Sequence, residues 1–409
     1  MSGEADLGQR QQRRFRFRNG TMDFYAGWLL GYSQLGGLSA GEVFECLNAV
    51  RDGDPASWVE VFAAMARRQE DKAGNDPRPV PAAGRYLAAA VAARAAWHFV
   101  APESDRARDL LAQLERCFQS SMACSGTPLT PVEVDTTAGR LPGYASAPID
   151  QPSPTPAVWY VVIGGGDTFR EDLYFFGGSR ALAEGFHVLL LDLPGQGSTP
   201  YPGLHFGEGT VTALREVLVR LRRNWPLARI VVTGYSGGGY FTVKALADPA
   251  TANAARVDAL VASTPVTDIA GLLRDGMPAI LTRRPDGRLA RLLARLAGRI
   301  SPVMDAALTK YNWQFGTDWI GEILPLAGAA GVVAPGELDV PLLAIVGESE
   351  PAESIRQAGD LFADVRIRRP GSRLVSFEKW TGADAHCQVN NLHLAQDTII
   401  AWLGDLAIT

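Results

Sequence analysis

Ser236 lies in the run Gly234-Tyr235-Ser236-Gly237-Gly238-Gly239, between an apolar stretch, Ile230-Val231-Val232, and a helical pattern beginning at Tyr240. A serine centred in Gly-x-Ser-x-Gly on a strand-to-helix turn is a nucleophile elbow. The turn is sharp, and side chains at its flanks would collide with the neighbouring strand and helix. The N–H of Gly237 then falls at a helix N-terminus, where it can stabilise an oxyanion. A serine hydroxyl is a weak nucleophile until a base takes its proton. Imidazole titrates near neutrality and can take that proton and return it. A carboxylate is needed to fix its tautomer. Of the five histidines, His98 falls in a helix, His187 opens a strand, His205 is in a loop and His393 is in the last helix. His386 alone occupies a loop, Gly382-Ala383-Asp384-Ala385-His386, between the last strand and the last helix. Glu348 and Glu350 follow the strand Leu342–Val346 and Gly347. The order Ser236, acid, His386 is that of one known arrangement of this chemistry.

A second oxyanion donor should come from the loop after Val158–Ile163, which reads Gly164-Gly165-Gly166-Asp167-Thr168. Glycines let the backbone approach a substrate closely. The donor is the N–H of Gly166 or of Asp167, paired with that of Gly237. A dinucleotide site is not indicated, because Gly-x-Gly-x-x-Gly is not met and no ribose-binding acid follows. Asp192-Leu193-Pro194-Gly195-Gln196-Gly197 reads as a structural turn.

These residues need a scaffold. The chain has 409 residues, 47% hydrophobic and 20% charged, with a net charge of −5. This is the composition of a globular protein of two or three structural units, with no general reason to bind nucleic acid. Four cysteines without zinc or redox spacing point to no metal and no cofactor, and fit a reducing cytoplasm. No apolar leader opens the chain and no uncharged stretch is long enough to span a bilayer. Residues 1–20, with a basic tract from Arg10 to Arg18, read as a mobile arm. Residues 21–125 read as a helical domain. Its signals include a capping box at Ser39–Glu42, an Asp54-Pro55 helix start, and Leu110, Leu111, Leu114 and Phe118 at helical spacing. After Ser125 a short hairpin, Pro131–Val134 and Leu141–Ala145, precedes alternating strands and helices. The further strands are Val158–Ile163, His187–Leu191, Ile230–Val232, Ala259–Ala262, Leu342–Val346 and Leu374–Phe377. That alternation implies a mostly parallel sheet with helices on both faces, over residues 126–409. A helical insertion at about 268–331 interrupts it as a lid would.

From Val132 to Leu403 the sequence resembles the α/β-hydrolase superfamily. It further resembles a subgroup with an N-terminal helical domain. That subgroup includes 2,6-dihydroxypseudooxynicotine hydrolase, the fungal yellowish-green pigment enzyme that shortens polyketide chains, and the fermentation-respiration switch protein. The matching segments are Gly164–Thr168 with Glu171-Asp172, Gly234–Gly238, Asn312-Trp313-Gln314-Phe315-Gly316, and Gly382–Gln388. The triad acid of this fold usually stands three residues after the strand-ending glycine. That gives the role to Glu350, with Glu348 as the alternative; aspartate is more usual there. The resemblance also implies frequent homodimers and hydrolysis of an ester or of a carbon–carbon bond next to a ketone.

On the substrate side, Tyr235 and Tyr240 flank the elbow, and Tyr311, Trp313, Phe315 and Trp319 cluster in the lid. Such aromatics either fill core or line an apolar pocket for an aromatic or polyketide-like molecule. Asp167 and Asp268 either orient a substrate group or cap a helix. Leu289, Leu292, Leu293 and Leu296 alternate with Arg288, Arg291, Arg295 and Arg299. This reads as a lid helix packed on the core with a solvated arginine face; the alternative is a membrane or an anionic partner such as a carrier protein. The expected activity is serine-dependent hydrolysis of a small, largely apolar ketone or ester in secondary metabolism. Elimination or cyclisation at the same Ser/His site and non-catalytic ligand binding are the alternatives.

Overall fold

The middle strands of the central sheet, from Val158–Ile163 to Leu342–Gly347, are apolar at nearly every position, which suits a sheet covered on both faces. In the computed structural model, which describes residues 10–276 and 287–408, the strands form one eight-stranded sheet in the order β1-β2-β4-β3-β5-β6-β7-β8. The strands are β1 Thr130–Thr136, β2 Gly139–Ala145, β3 Val158–Ile163, β4 His187–Leu191, β5 Arg229–Tyr235, β6 Ala259–Ser263, β7 Leu342–Gly347 and β8 Arg373–Phe377. The β1–β2 and β2–β4 pairs are antiparallel and all others are parallel. The α/β class, the initial hairpin and the strand positions agree with the expectation from sequence. One face of the sheet carries Trp159, Val161, Leu189, Ile230, Val232, Leu260, Leu342 and Ala344 into a core shared with the helices Glu208–Asn224 and Gly237–Ala247.

Two compact units are distinguished. One comprises Met1–Pro128, Gly276–Trp313 and Thr317–Glu322; the other comprises Leu129–Asp275, Gln314–Gly316 and Ile323–Thr409. The expected insertion between β6 and β7 contains the helices Ile269–Gly276, Arg288–Ile300, Pro302–Phe315 and Ile320–Ala330. It does not form a unit of its own, because its middle groups with the N-terminal helices. Residues 277–286 of that insertion lie outside the described residues.

In the first unit the capping box at Ser39 and Glu42 and the Asp54 cap with Pro55 in the first turn are present. The N-terminal arm departs from expectation. Residues 1–9 lie outside the described residues, but from Gln11 onward the segment is docked. The carboxylate of Asp23, fully buried, accepts bonds from Gln11 Nε2 (2.8 Å), Phe15 N (3.2 Å), Arg16 N (2.9 Å) and Phe17 N (2.8 Å). A buried carboxylate is costly unless donors surround it, and the arm supplies them. Among the described residues no helix is long and apolar enough to cross a membrane, and no group of His, Cys, Asp and Glu is arranged to hold a metal ion.

Candidate active site

Ser236 follows the last residue of β5 and precedes the helix Gly237–Ala247. Its backbone has φ +55° and ψ −119°, a region that L-residues avoid and that costs of order 1–3 kcal/mol. Ser236 N donates to Ser263 O at the end of β6 (2.9 Å), and Gly239 N donates back to Ser236 O (2.8 Å). The flanking glycines are required by space. A Cβ on Gly238 would stand 2.5 Å from the carbonyl oxygens of Ile163 and Gly164, and one on Gly234 would overlap the Gly238 carbonyl. A Cβ on Gly165 would stand 2.8 Å from the Ser236 Cβ. The elbow and the glycine loop after β3 are thus in direct backbone contact.

His386 and Glu350 meet at the ends of β7 and β8. His386 Nδ1 lies 2.8 Å from Glu350 Oε2. The carboxylate also accepts from Gly347 N (2.9 Å) and from the Thr264 hydroxyl (2.7 Å), and its side chain is fully buried. With the Glu350 carboxylate as acceptor, the proton of the neutral imidazole belongs on Nδ1 and the lone pair on Nε2. The imidazole is 16% exposed. Burial alone would lower the His386 pKa. The neighbouring Cys387 sulfur and the Glu350 carboxylate outweigh it, and the imidazole is held above its usual value.

Glu348, the alternative acid, takes no part in this cluster. It is a surface residue, accepting from Lys379 N (3.0 Å) with Lys379 Nζ 3.6 Å away. The loop bearing Glu350 is fastened to the histidine loop by Ser349, whose hydroxyl donates to Asp384 (2.5 Å) and whose N–H donates to Asp384 O (3.0 Å). The other four histidines are engaged elsewhere: His98 stacks on Tyr25, His187 packs at an angle against Trp159 and edge-on to Trp225, His205 lies against Gly316, and His393 pairs with Asp397.

The glycine loop is held by two glutamines. Gln196 Nε2 donates to Gly164 O and to Gly165 O (3.1 Å for the latter), while its own Oε1 accepts from Leu193 N (2.9 Å). Gln314 Nε2 donates to Gly166 O (2.7 Å) and Gly195 O (3.1 Å). In a planar trans peptide the C=O and the following N–H point in opposite directions. Fixing the Gly165 carbonyl therefore aims the Gly166 N–H the other way, and fixing the Gly166 carbonyl does the same for Asp167. Gly166 N lies 3.8 Å from the point a Gly237 Cβ would occupy, so the Gly166 amide is brought beside Gly237. Gln314→Leu is expected to release the Gly166 carbonyl, and with it the Asp167 N–H and the loop that carries the Gly166 amide, and to lower kcat about tenfold or more with KM nearly unchanged, read by steady-state kinetics. A change in KM alone would place Gln314 in substrate binding instead.

The remaining candidates are dispersed. Tyr235 is fully buried, its hydroxyl donated to Phe176 O and its ring on Phe176; it is a core residue. Asp268 caps the helix Ile269–Gly276 through Gly271 N (2.8 Å), and Asp167 is half-buried in the loop after β3. Trp313 belongs to the other unit, where its ring packs on Trp97. Phe315 packs on Phe206, which stacks on Phe241, and Phe241 lies against Gly237. The sequence places Gln196 in a structural turn and Gln314 in a segment shared with the subgroup, but assigns neither of them, nor Thr264, a role at the site.

The sequence pattern of the alpha/beta hydrolase family matches residues 156–388. The chain belongs to this family. The hydrolase is 31% identical over 301 residues to "Hydrolase acrC" of Aspergillus aculeatus, covering 66% of this chain and 69% of that protein. It is 31% identical over 269 residues to "Hydrolase LUC6" of a Fusarium species, covering 61% and 62% of the two chains, so it spans just under two thirds of that relative's length. It is 25% identical over 319 residues to "Hydrolyase poxO" of Penicillium oxalicum, covering 73% of each chain. Among solved structures it resembles the 2,6-dihydroxy-pseudo-oxynicotine hydrolase, with a TM-score of 0.59, 16% identity, and 93% and 95% of the two chains covered. It also resembles AbyA5, with a TM-score of 0.59, 14% identity, and 92% and 93% covered. These two likenesses concern the fold. They agree with the subgroup resemblance read from the sequence.

Proposed function

We propose that this hydrolase cleaves an ester, or a carbon–carbon bond next to a ketone, in a small, largely apolar substrate, with Ser236 as nucleophile, His386 as general base and acid, and Glu350 as the residue that orients the imidazole. The observation that carries this reading is the 2.8 Å contact between His386 Nδ1 and the buried Glu350 carboxylate, together with the strained backbone at Ser236. Ser236 Oγ attacks the carbonyl carbon and its proton passes to His386 Nε2. The oxyanion is received by the N–H groups of Gly237 and Gly166; a donor in this role contributes about 3–4 kcal/mol to lowering the barrier. Collapse breaks the bond to the leaving group, an alkoxide or an enolate carbon, which takes the proton from His386. Water, deprotonated by His386, then releases the acyl group and restores Ser236. The packed rings of Phe206, Phe241 and Phe315, with Phe241 beside Gly237, are what supports a substrate of aromatic or polyketide type.

A second reading keeps the residues and changes the reaction. A relative bears the name hydrolyase, and the same base could remove a proton and drive elimination or cyclisation without an acyl-enzyme. Turnover in ¹⁸O-labelled water separates the two. Hydrolysis places one labelled oxygen in the acid product. Unlabelled product with no acid formed would reject hydrolysis and support elimination or cyclisation.

A further inference from the structure

The helix Arg288–Ile300 turns its small residues inward and its large apolar ones outward. Ala290 is buried at 1% exposure, Gly298 is also buried, and a Cβ on Gly298 would stand 2.8 Å from Asp305 Oδ1. The side chains of Leu289, Leu292, Leu293, Leu296 and Ile300 are 58, 53, 42, 42 and 83% exposed. At 100° per residue these five occupy one stripe about 100° wide. The sequence expectation of leucines packed on the core is therefore reversed, because the tight Ala/Gly contact decides which side faces in. Leucines gathered on one outer face are a mark of an interaction surface.

The charge around that stripe selects its occupant. Arg288, Arg291, Arg295 and Arg299 all lie within the helix, and no Asp or Glu occurs from Gly287 to Met304. Arg291 is partly committed, lying over Trp319 and 3.9 Å from Glu322; Arg299 is exposed. A second copy of the chain would bring together two helices that each carry four arginines and no acidic residue. The five positions of the stripe carry no polar side chain, which suits acyl chains. At thirteen residues and about 1.5 Å per residue the helix is too short to cross a bilayer, but it can lie in the plane of its surface. We infer that this basic helix docks the hydrolase on an anionic lipid surface, with its leucines in the acyl boundary.

The test is co-sedimentation of the full-length protein with phosphatidylcholine vesicles, with and without phosphatidylglycerol. Binding to the anionic vesicles is expected to be at least about tenfold tighter than to neutral ones, and to fall at high salt. The double variant L293E/L296E, at two exposed positions, should lose this binding while keeping the wild-type unfolding midpoint. Four outcomes would overturn the proposal: no binding to either vesicle, equal binding to both, self-association that the same variant abolishes, or capture by an immobilised acidic carrier protein without vesicle binding.

Discussion

Ser236→Ala is expected to lower kcat by about four to six orders of magnitude and to leave the thermal unfolding midpoint nearly unchanged. The large effect follows from the roles proposed for these residues. Without Oγ there is no atom to accept the acyl group, and the base His386, still held by Glu350, has nothing to deprotonate. The small effect on stability follows from the same site. The backbone bonds of Ser236, from its N–H to Ser263 O and to its carbonyl from Gly239 N, involve no side-chain atom. Residual turnover in the variant measures what the Gly237 and Gly166 amides contribute alone. Because nucleophile and base act as a unit, Ser236→Ala/His386→Ala should be scarcely slower than either single variant. Additive losses would mean that the two side chains serve separate steps.

The second prediction concerns the acid. Glu350→Gln is expected to reduce kcat by about three to four orders of magnitude, whereas Glu348→Gln should leave it little changed. Glu350 accepts from three donors, Gly347 N, the Thr264 hydroxyl and His386 Nδ1. An amide presents N–H to at least one of them, so a buried donor loses its partner or the imidazole takes the wrong tautomer. The pH profile adds a signature. The base acts when neutral, so kcat/KM should rise with pH through the His386 pKa, and that acid limb should lie above the ordinary histidine value. Removing the carboxylate removes stabilisation of the imidazolium, which lowers this pKa. The acid limb of Glu350→Gln should therefore move to lower pH while the plateau falls. An unchanged limb, or a larger loss for Glu348→Gln, would reassign the acid.

Much of the site could be read from the chain because it is written in local spacing. The elbow needs glycines at 234 and 238 for contacts within one turn and with the adjacent strand. The strand ending at Gly347 fixes where an acid can project, and the loop before the last helix fixes His386. What could not be read depends on contacts between residues far apart in sequence. Thr264 takes an unusual positive φ of 54° to reach Glu350, a position 86 residues away, and nothing in the tripeptide Ser-Thr-Pro announces it. Gln196 and Gln314 are two ordinary amides until the fold brings both to the loop Gly164–Gly166. Amphipathic spacing likewise gave the helix Arg288–Ile300 two faces without telling which one would be buried. In the N-terminal arm, composition suggested solvation, whereas the buried Asp23 carboxylate gathers the backbone of residues 15–17.

The proposed activation of Ser236 by His386 is tested most directly by intact-protein and peptide mass spectrometry after exposure to a fluorophosphonate. One adduct per chain, on Ser236, is predicted for the wild-type protein, with labelling slowed strongly in His386→Ala and absent in Ser236→Ala. An unlabelled wild-type chain, or an adduct that persists in Ser236→Ala, would contradict it.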